Sequence, residues 1–347
     1  MSDRSVAAIL APVPAALLAA ALLILPALAA AQGAAVDTAA KGTLGIRTLP
    51  GDAELTVDGA PKGRSPASVD ESLLLRLPEG EHVIRAAKDG FEPVERAVFV
   101  AADTERSIHI DLAPHIDMVQ VEGGCFLMGS PEDEPERDAD EGPQHEVCIQ
   151  PFEIGRYEVT FADWDACVAD DGCARRPDDE GWGRGRRPVI NVSWQDAREY
   201  IRWLNGKGGL QGFRLPSEAE WEFAAAGGAR TTYWWGFETG VGRAACFDCG
   251  SVWDNRSTAP VGSFAANSLG LYDTAGNAME WVADCYRPGY AGAPADGSPV
   301  IADDCPYRVA RGGAFNKPAR SMGSTFRQRF DPVTRLDMLG FRLARDE

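Results

Sequence analysis

All eight cysteines of this chain lie beyond residue 120 and fall into neighbouring couples: Cys125 with Cys148, Cys167 with Cys173, Cys246 with Cys249, and Cys285 with Cys305. An even set suits a disulfide framework, and an oxidising compartment lets such a framework persist. Eight cysteines allow about 105 pairings, so neighbouring pairs are the simplest expectation and not a deduction. The couples also divide the chain, because whatever they staple is a second folded unit and the residues before it must fold without them.

The compartment is read from the N-terminus. Arg4 precedes a long Ala/Leu run that ends in Ala27-Leu28-Ala29, the pattern of a signal peptide over residues 1–31, and a small-residue linker follows over 32–42. Export to the periplasm or cell surface is expected. Membrane contact is expected only through this run, which is long enough to anchor the chain if it stays uncut. With 52 acidic against 34 basic residues and a net charge of -18, the chain lacks the basic face that binding to a phosphate backbone uses. Nucleic acid is therefore not an expected partner.

Short β-prone runs punctuated by turns fill residues 43–113. Period-two alternation is clear in Glu54-Leu55-Thr56-Val57 and from Ser107 to Leu112, with Asp58-Gly59 and Asp89-Gly90 as turns. This predicts a small all-β domain. "LPGDAELTVDG" (Leu49 to Gly59), "KGRSP" (Lys62 to Pro66), "LPEGEH" (Leu77 to His82) and "KDGF" (Lys88 to Phe91) resemble, in order, the PEGA domain. That resemblance implies a β-sandwich spacer or adhesion module of envelope proteins, with no chemistry of its own.

From His115 the texture becomes aromatic-rich with long loops. Three helices are expected, each opened by a hydroxyl cap with an acid three residues on: Thr160 with Asp163, Ser193 with Asp196, and Ser217 with Glu220, the last stopping at Gly227-Gly228. Few helices in a chain otherwise of strand and loop make an α+β unit. Asp273 and Glu280 flank a Gly276-Asn277 turn, which could gather the oxygen ligands that calcium accepts; a plain turn with two solvated acids fits the same spacing.

Seven segments in register carry a second resemblance. They are "VEGGCFLMGS" (Val121 to Ser130), "GRYEVTFADW" (Gly155 to Trp164), "PVINVSWQDAREYIRWLN" (Pro188 to Asn205), "FRLPSEAEWEFAAAGG" (Phe213 to Gly228), "APVGSFAANSLGLYDTAGNAMEW" (Ala259 to Trp281), "RVARGGAF" (Arg308 to Phe315) and "GFRLAR" (Gly340 to Arg345). Together, over residues 116–345, they resemble the formylglycine-generating enzyme, or sulfatase-modifying factor, domain. The resemblance implies a C-type-lectin-like fold with little regular structure. It also implies a structural calcium ion held by the side chains of Asp273 and Glu280 and the carbonyls of Gly276 and Ala278. A second calcium site of that family uses an Asn where Ala245 stands here.

Enzymes of that family oxidise a cysteine of a protein substrate with a copper(I) ion held by two thiolates, both in the segment after the Gly-Gly that matches Gly312-Gly313. Here no cysteine follows Cys305, and without gaps Lys317 and Met322 fill the two positions. A protonated ammonium cannot hold copper(I), and one thioether is a weak substitute for two thiolates, so copper is not expected. Cys246-Phe-Asp-Cys249 has the spacing of a redox pair or half a zinc site. The reading taken is a structural disulfide, since further soft ligands and a positive environment are not evident. Four histidines, none at helical ligand spacing, do not support an iron site.

Basic residues crowd the C-terminal end. Arg311, Asn316, Lys317, Arg320, Arg327 and Arg329 could line a cleft for a carboxylate, sulfate or phosphate; alternatively the acidic run Pro131 to Glu141 neutralises them internally. The expectation is a non-catalytic envelope module binding a protein, peptide or envelope ligand. The competing expectation is an oxidase of the same family acting on a cysteine-containing protein by an altered mechanism.

Overall fold

The computed structural model describes residues 40–68, 70–207 and 210–346. The expected signal peptide and the linker up to residue 39 lie outside the described residues. Among the described residues no helix is long and apolar enough to cross a membrane.

The first seven strands are β1 (Lys41–Leu49), β2 (Glu54–Val57), β3 (Ala60–Arg64), β4 (Leu73–Pro78), β5 (Gly80–Ala87), β6 (Val94–Val100) and β7 (Glu105–Asp111). They form two sheets, β4-β1-β7 and β3-β2-β5-β6. Strand β1 runs antiparallel to β4 and parallel to β7, while the second sheet is antiparallel throughout. The alternation read from Glu54–Val57 points Leu55 and Val57 inward, where they meet Leu44, Ile46, Ile84 and Ile110 from the other strands in one apolar core. One expectation is corrected. Lys41 and Gly42, assigned to the linker, belong to β1, because pairing with Pro78 and Leu77 draws them into the sheet. A Cβ at Gly42 would come within 2.1 Å of the Ala101 carbonyl oxygen, so this glycine serves close packing and not flexibility.

Beyond Pro114 the chain is built around two four-stranded sheets and three helices. Strands β8 (Met118–Val121), β11 (Phe152–Gly155), β12 (Phe213–Arg214) and β17 (Ala344–Asp346) form one sheet, in the order β12-β17-β11-β8. Strands β13 (Met279–Cys285), β14 (Arg308–Arg311), β15 (Arg327–Phe330) and β16 (Leu339–Phe341) form the other, in the order β15-β14-β13-β16. The last few residues therefore enter both sheets. Strands β9 (Gly124–Met128) and β10 (His145–Ile149) make a separate ribbon.

The helices start where the caps place them: α1 (Phe161–Ala169), α2 (Trp194–Asn205) and α3 (Glu218–Ala226) each open with the expected capping box. Helix α3 ends at Gly227, which adopts a left-handed φ of 56°. Ala197, Tyr200, Ile201 and Leu204 of α2 are buried, in a core shared with Trp164, Trp281 and Phe341.

The four neighbouring cysteine couples are all disulfides, and none of the eight thiols is free. Cys125–Cys148 joins directly opposed residues of β9 and β10, and Cys285–Cys305 ties the end of β13 to the loop before β14. Closing loops of 23 and 20 residues in this way removes roughly 3 kcal/mol each of unfolded-state entropy.

In the β-sandwich His82 is almost fully buried and both of its ring nitrogens face acceptors: Nδ1 lies 2.6 Å from Asp58 Oδ2 and Nε2 2.9 Å from the Pro78 carbonyl. Two acceptors require both N–H groups, so the imidazolium form is favoured. The bond to Asp58, then the one to Pro78, raise the His82 pKa against burial and the charge of Lys62, while the same pairing lowers that of Asp58. The histidine's contribution to stability is complete below its ordinary pKa near 6.5 and is lost as pH rises through the raised folded value. Asp58 contributes above its ordinary range near 4, and that contribution is lost as pH falls through the lowered folded value. The difference in melting temperature between wild type and His82→Gln is expected to be largest at about pH 5 and to shrink as pH rises above the ordinary histidine pKa of 6.5; a pH-independent difference would show that the pairing carries no charge.

Candidate functional site

Three loops meet where the resemblance places its site. The Gly276-Asn277 turn has positive φ at both residues, 80° and 64°, and a Cβ at Gly276 would sit 2.2 Å from the Ala245 carbonyl oxygen. Gly276 N–H donates to the Gly312 carbonyl at 2.7 Å, and Phe315 N–H to the Asn277 carbonyl at 2.9 Å, so this turn and the Gly312-Gly313 corner lock each other. The third loop is "ACFDC": Asn277 N–H donates to the Ala245 carbonyl at 3.0 Å, and Phe247 N–H to that of Lys317 at 2.8 Å.

Behind the turn lies a buried set of charges. Arg342, from the closing "GFRLAR", donates to both carboxylate oxygens of Glu280, at 2.5 and 2.6 Å, and to the carbonyls of Gly155 and Tyr272. Trp221 Nε1 donates to Glu280 Oε2 at 2.6 Å. Glu158 accepts from Asn277 Nδ2 at 2.7 Å and from Ala278 N–H at 2.9 Å. Asp273 accepts from Gly262 N–H through Oδ2 at 2.7 Å, whereas its Oδ1 is buried with no hydrogen-bond partner.

Three buried carboxylates thus face one guanidinium. Burial, then the charges of Asp273 and Glu280, hold the Glu158 carboxyl well above the usual range. Burial likewise pushes Asp273 up to about 6, against the Gly262 N–H and Arg342. Of the expected calcium side-chain ligands, Asp273 keeps a spare buried oxygen, while both oxygens of Glu280 are already engaged. Among the described residues no three acidic, histidine or cysteine side chains gather in metal-holding geometry.

The two positions where copper-binding cysteines are expected in the family look unlike a thiolate site. Met322 is buried, with its sulfur 4.0 Å from Cys249 Sγ, in a small core with Tyr233, Ala244 and the Cys246–Cys249 disulfide. Lys317 is half-buried, and its ammonium has no hydrogen bond or ion pair among the described residues. Beside it, Asn316 Oδ1 is buried and unpaired. A disulfide, a thioether and an ammonium supply no thiolate, so these residues do not fit copper(I).

The arginine-lined cleft does not form. Arg311 is fully buried; it pairs with Glu222, lies 3.4 Å from Glu218 and donates to the Phe326 carbonyl. Arg327, also buried, makes two bonds to Glu218, at 2.6 and 2.9 Å, and lies over the Tyr290 ring at 4.3 Å. Arg329 rests on Tyr286 and Tyr307, and Arg320 reaches Asp138 at 3.5 Å. The neutralising acids come chiefly from α3, with Asp138 and Asp140 contributed by the acidic run. The expected cleft is corrected because α3 packs against β13 and β14 and turns Glu218 and Glu222, one helical turn apart, onto the two guanidinia. That i, i+4 pair was the available signal in the sequence.

Removing one partner from a buried ion-pair cluster leaves charge uncompensated, which typically costs about 3–5 kcal/mol. Glu218→Ala is expected to lower stability by roughly that amount in chemical denaturation, and more than Arg329→Ala, whose guanidinium is exposed. Equal losses would mean that the cluster carries no special weight.

The comparisons agree with this architecture. The family described as the sulfatase-modifying factor enzyme 1-like domain matches residues 109–347, and the PEGA domain matches residues 41–116. The formylglycine-generating enzyme of Streptomyces coelicolor is 32% identical over 289 residues, covering 66% of this chain and 88% of that protein. The inactive C-alpha-formylglycine-generating enzyme 2 of Bos taurus is 30% identical over 299 residues, covering 66% and 88%. Among solved structures, PvdO from Pseudomonas aeruginosa is 35% identical with a TM-score of 0.60, covering 66% of this chain and 94% of that one. The shared fold, its interlocked glycine corners and these matches establish that the chain belongs to the formylglycine-generating enzyme, or sulfatase-modifying factor, family, with a PEGA domain ahead of the family domain.

Proposed function

We propose that this is an exported, non-catalytic member of the family, whose domain binds a protein, peptide or envelope ligand instead of oxidising one. The observation that carries this reading is that every cysteine is in a disulfide, so no thiolate is available to copper at Lys317 and Met322 or elsewhere. The Bos taurus relative is named an inactive enzyme, which is consistent with a family fold retained without the family chemistry. Export rests on the Ala/Leu leader and is supported by the four disulfides, which a reducing cytoplasm disfavours. The expected outcome of incubating the purified chain with a sulfatase-motif peptide, copper(I), reductant and oxygen is no formylglycine by mass spectrometry above a protein-free control. Conversion would restore the oxidase reading.

Calcium is proposed as a structural ion of the loop from Asp273 to Glu280. The support is the unpaired buried Oδ1 of Asp273 and the excess of buried carboxylates over the Arg342 guanidinium. The carbonyls of Gly276 and Ala278 would complete its shell, and Glu280 would share its oxygens between the ion and Arg342. At a hundredfold excess over Kd a bound ion adds roughly 2.7 kcal/mol of stability. Calcium is therefore expected to raise the melting temperature of the wild type relative to chelator, and not that of Asp273→Asn. An unchanged wild-type melt would remove calcium from the description.

A further inference from the structure

Away from Lys317 and Met322, helix α2 and the turn at Asp296 to Pro299 wall a trench of about 790 Å³. That size lies within the range of small-molecule sites. Its lining is mainly apolar, with Trp194 and Ile201 from α2 and Phe213 and Leu215 from the segment before α3. On α2, Trp194, Arg198, Ile201 and Arg202 recur at helical spacing and so share one face.

Arg198 and Arg202 are both exposed, and among the described residues neither has a hydrogen-bonding or carboxylate partner for its guanidinium. Arg198 is held at the trench by stacking, its guanidinium carbon 4.9 Å from the centre of the Trp194 ring. The three acids of the trench have partners within its wall. Glu220 and Asp346 both accept from Arg214, and Asp296 accepts from the N–H and hydroxyl of Ser298. Two spare, adjacent guanidinia above an apolar lining complement one chemistry: a single anionic head on an apolar body. A guanidinium matches a carboxylate in a planar, two-bond geometry, and a head already positioned by an indole loses little freedom on binding.

We propose that this trench binds an amphipathic aliphatic carboxylate, its chain against Trp194, Ile201 and Phe213 and its carboxylate between Arg198 and Arg202. The proposal deepens the reading of the domain as a binding module and rests on it. It predicts a second feature: affinity must fall with salt, because the head is recognised at the exposed rim.

The test is equilibrium dialysis of the full chain with decanoate, and separately with its neutral counterpart 1-decanol. Decanoate is expected to bind saturably at one site per chain, at least about tenfold more tightly than decanol, which corresponds to the loss of one charge-assisted contact. The double variant Arg198→Gln/Arg202→Gln, whose sites are on the surface, is expected to lose that advantage while keeping the wild-type melting temperature. Equal binding of acid and alcohol, undiminished decanoate binding by the double variant, or no saturable binding at all would each overturn the proposal. Those failures leave the non-catalytic reading untouched if the sulfatase-motif peptide stays unconverted, whereas conversion of the peptide overturns that reading by itself.

Discussion

Arg342 is the residue on which most of the second unit's architecture converges. Its side chain is fully buried, and it is satisfied only because four separate parts of the chain arrive around it: Glu280 from β13, the Gly155 carbonyl from β11, the Tyr272 carbonyl from the loop before β13, and, through Glu280, the Trp221 indole of α3. A guanidinium removed from water without such partners would be prohibitively unfavourable, so the two sheets, α3 and the loop must assemble together. Strands β16 and β17 flank Arg342 in sequence and enter different sheets, which makes the C-terminal residues a clasp and not a tail.

The same logic explains the segment from Gly312 to Phe330. Its first half is scaffold: a Cβ at Gly313 would lie 2.6 Å from the Ser321 carbonyl, and Gly312 supplies the acceptor that fixes the turn at Gly276. Its second half delivers Arg327 to Glu218 and buries Met322 against the Cys246–Cys249 disulfide. Packing therefore accounts for Met322. The family frame is intact here whatever side chains it carries, in keeping with the general separation of fold from activity.

Several parts of this were legible in advance. The three helices were legible because a capping box is a local device: Thr160, Ser193 and Ser217 each bond an acid three residues away, and nothing distant is needed. The disulfides were legible as neighbours because each closes a short loop, and the strands of the first unit because alternation encodes one buried face. Glu158 was missed although it stands inside a quoted motif. Its partners, Asn277 and Ala278, lie about 120 residues on, and no local pattern marks such a bond.

The basic C-terminal region shows the limit most clearly. The sequence shows that arginines accumulate there and that no thiol follows Cys305. Whether those arginines meet a ligand or one another's counter-ions depended on where α3 docks, which follows from burial of its Trp221 and Ala224 beside the strands of the second unit. Residue type and short-range pattern determined the helices and the sulfur pairs, since those depend on the chain's near neighbours. Only the tertiary structure decided which charges were buried as pairs and which, like Arg198 and Arg202, were left free, because a charge's partner is chosen by packing across the whole fold.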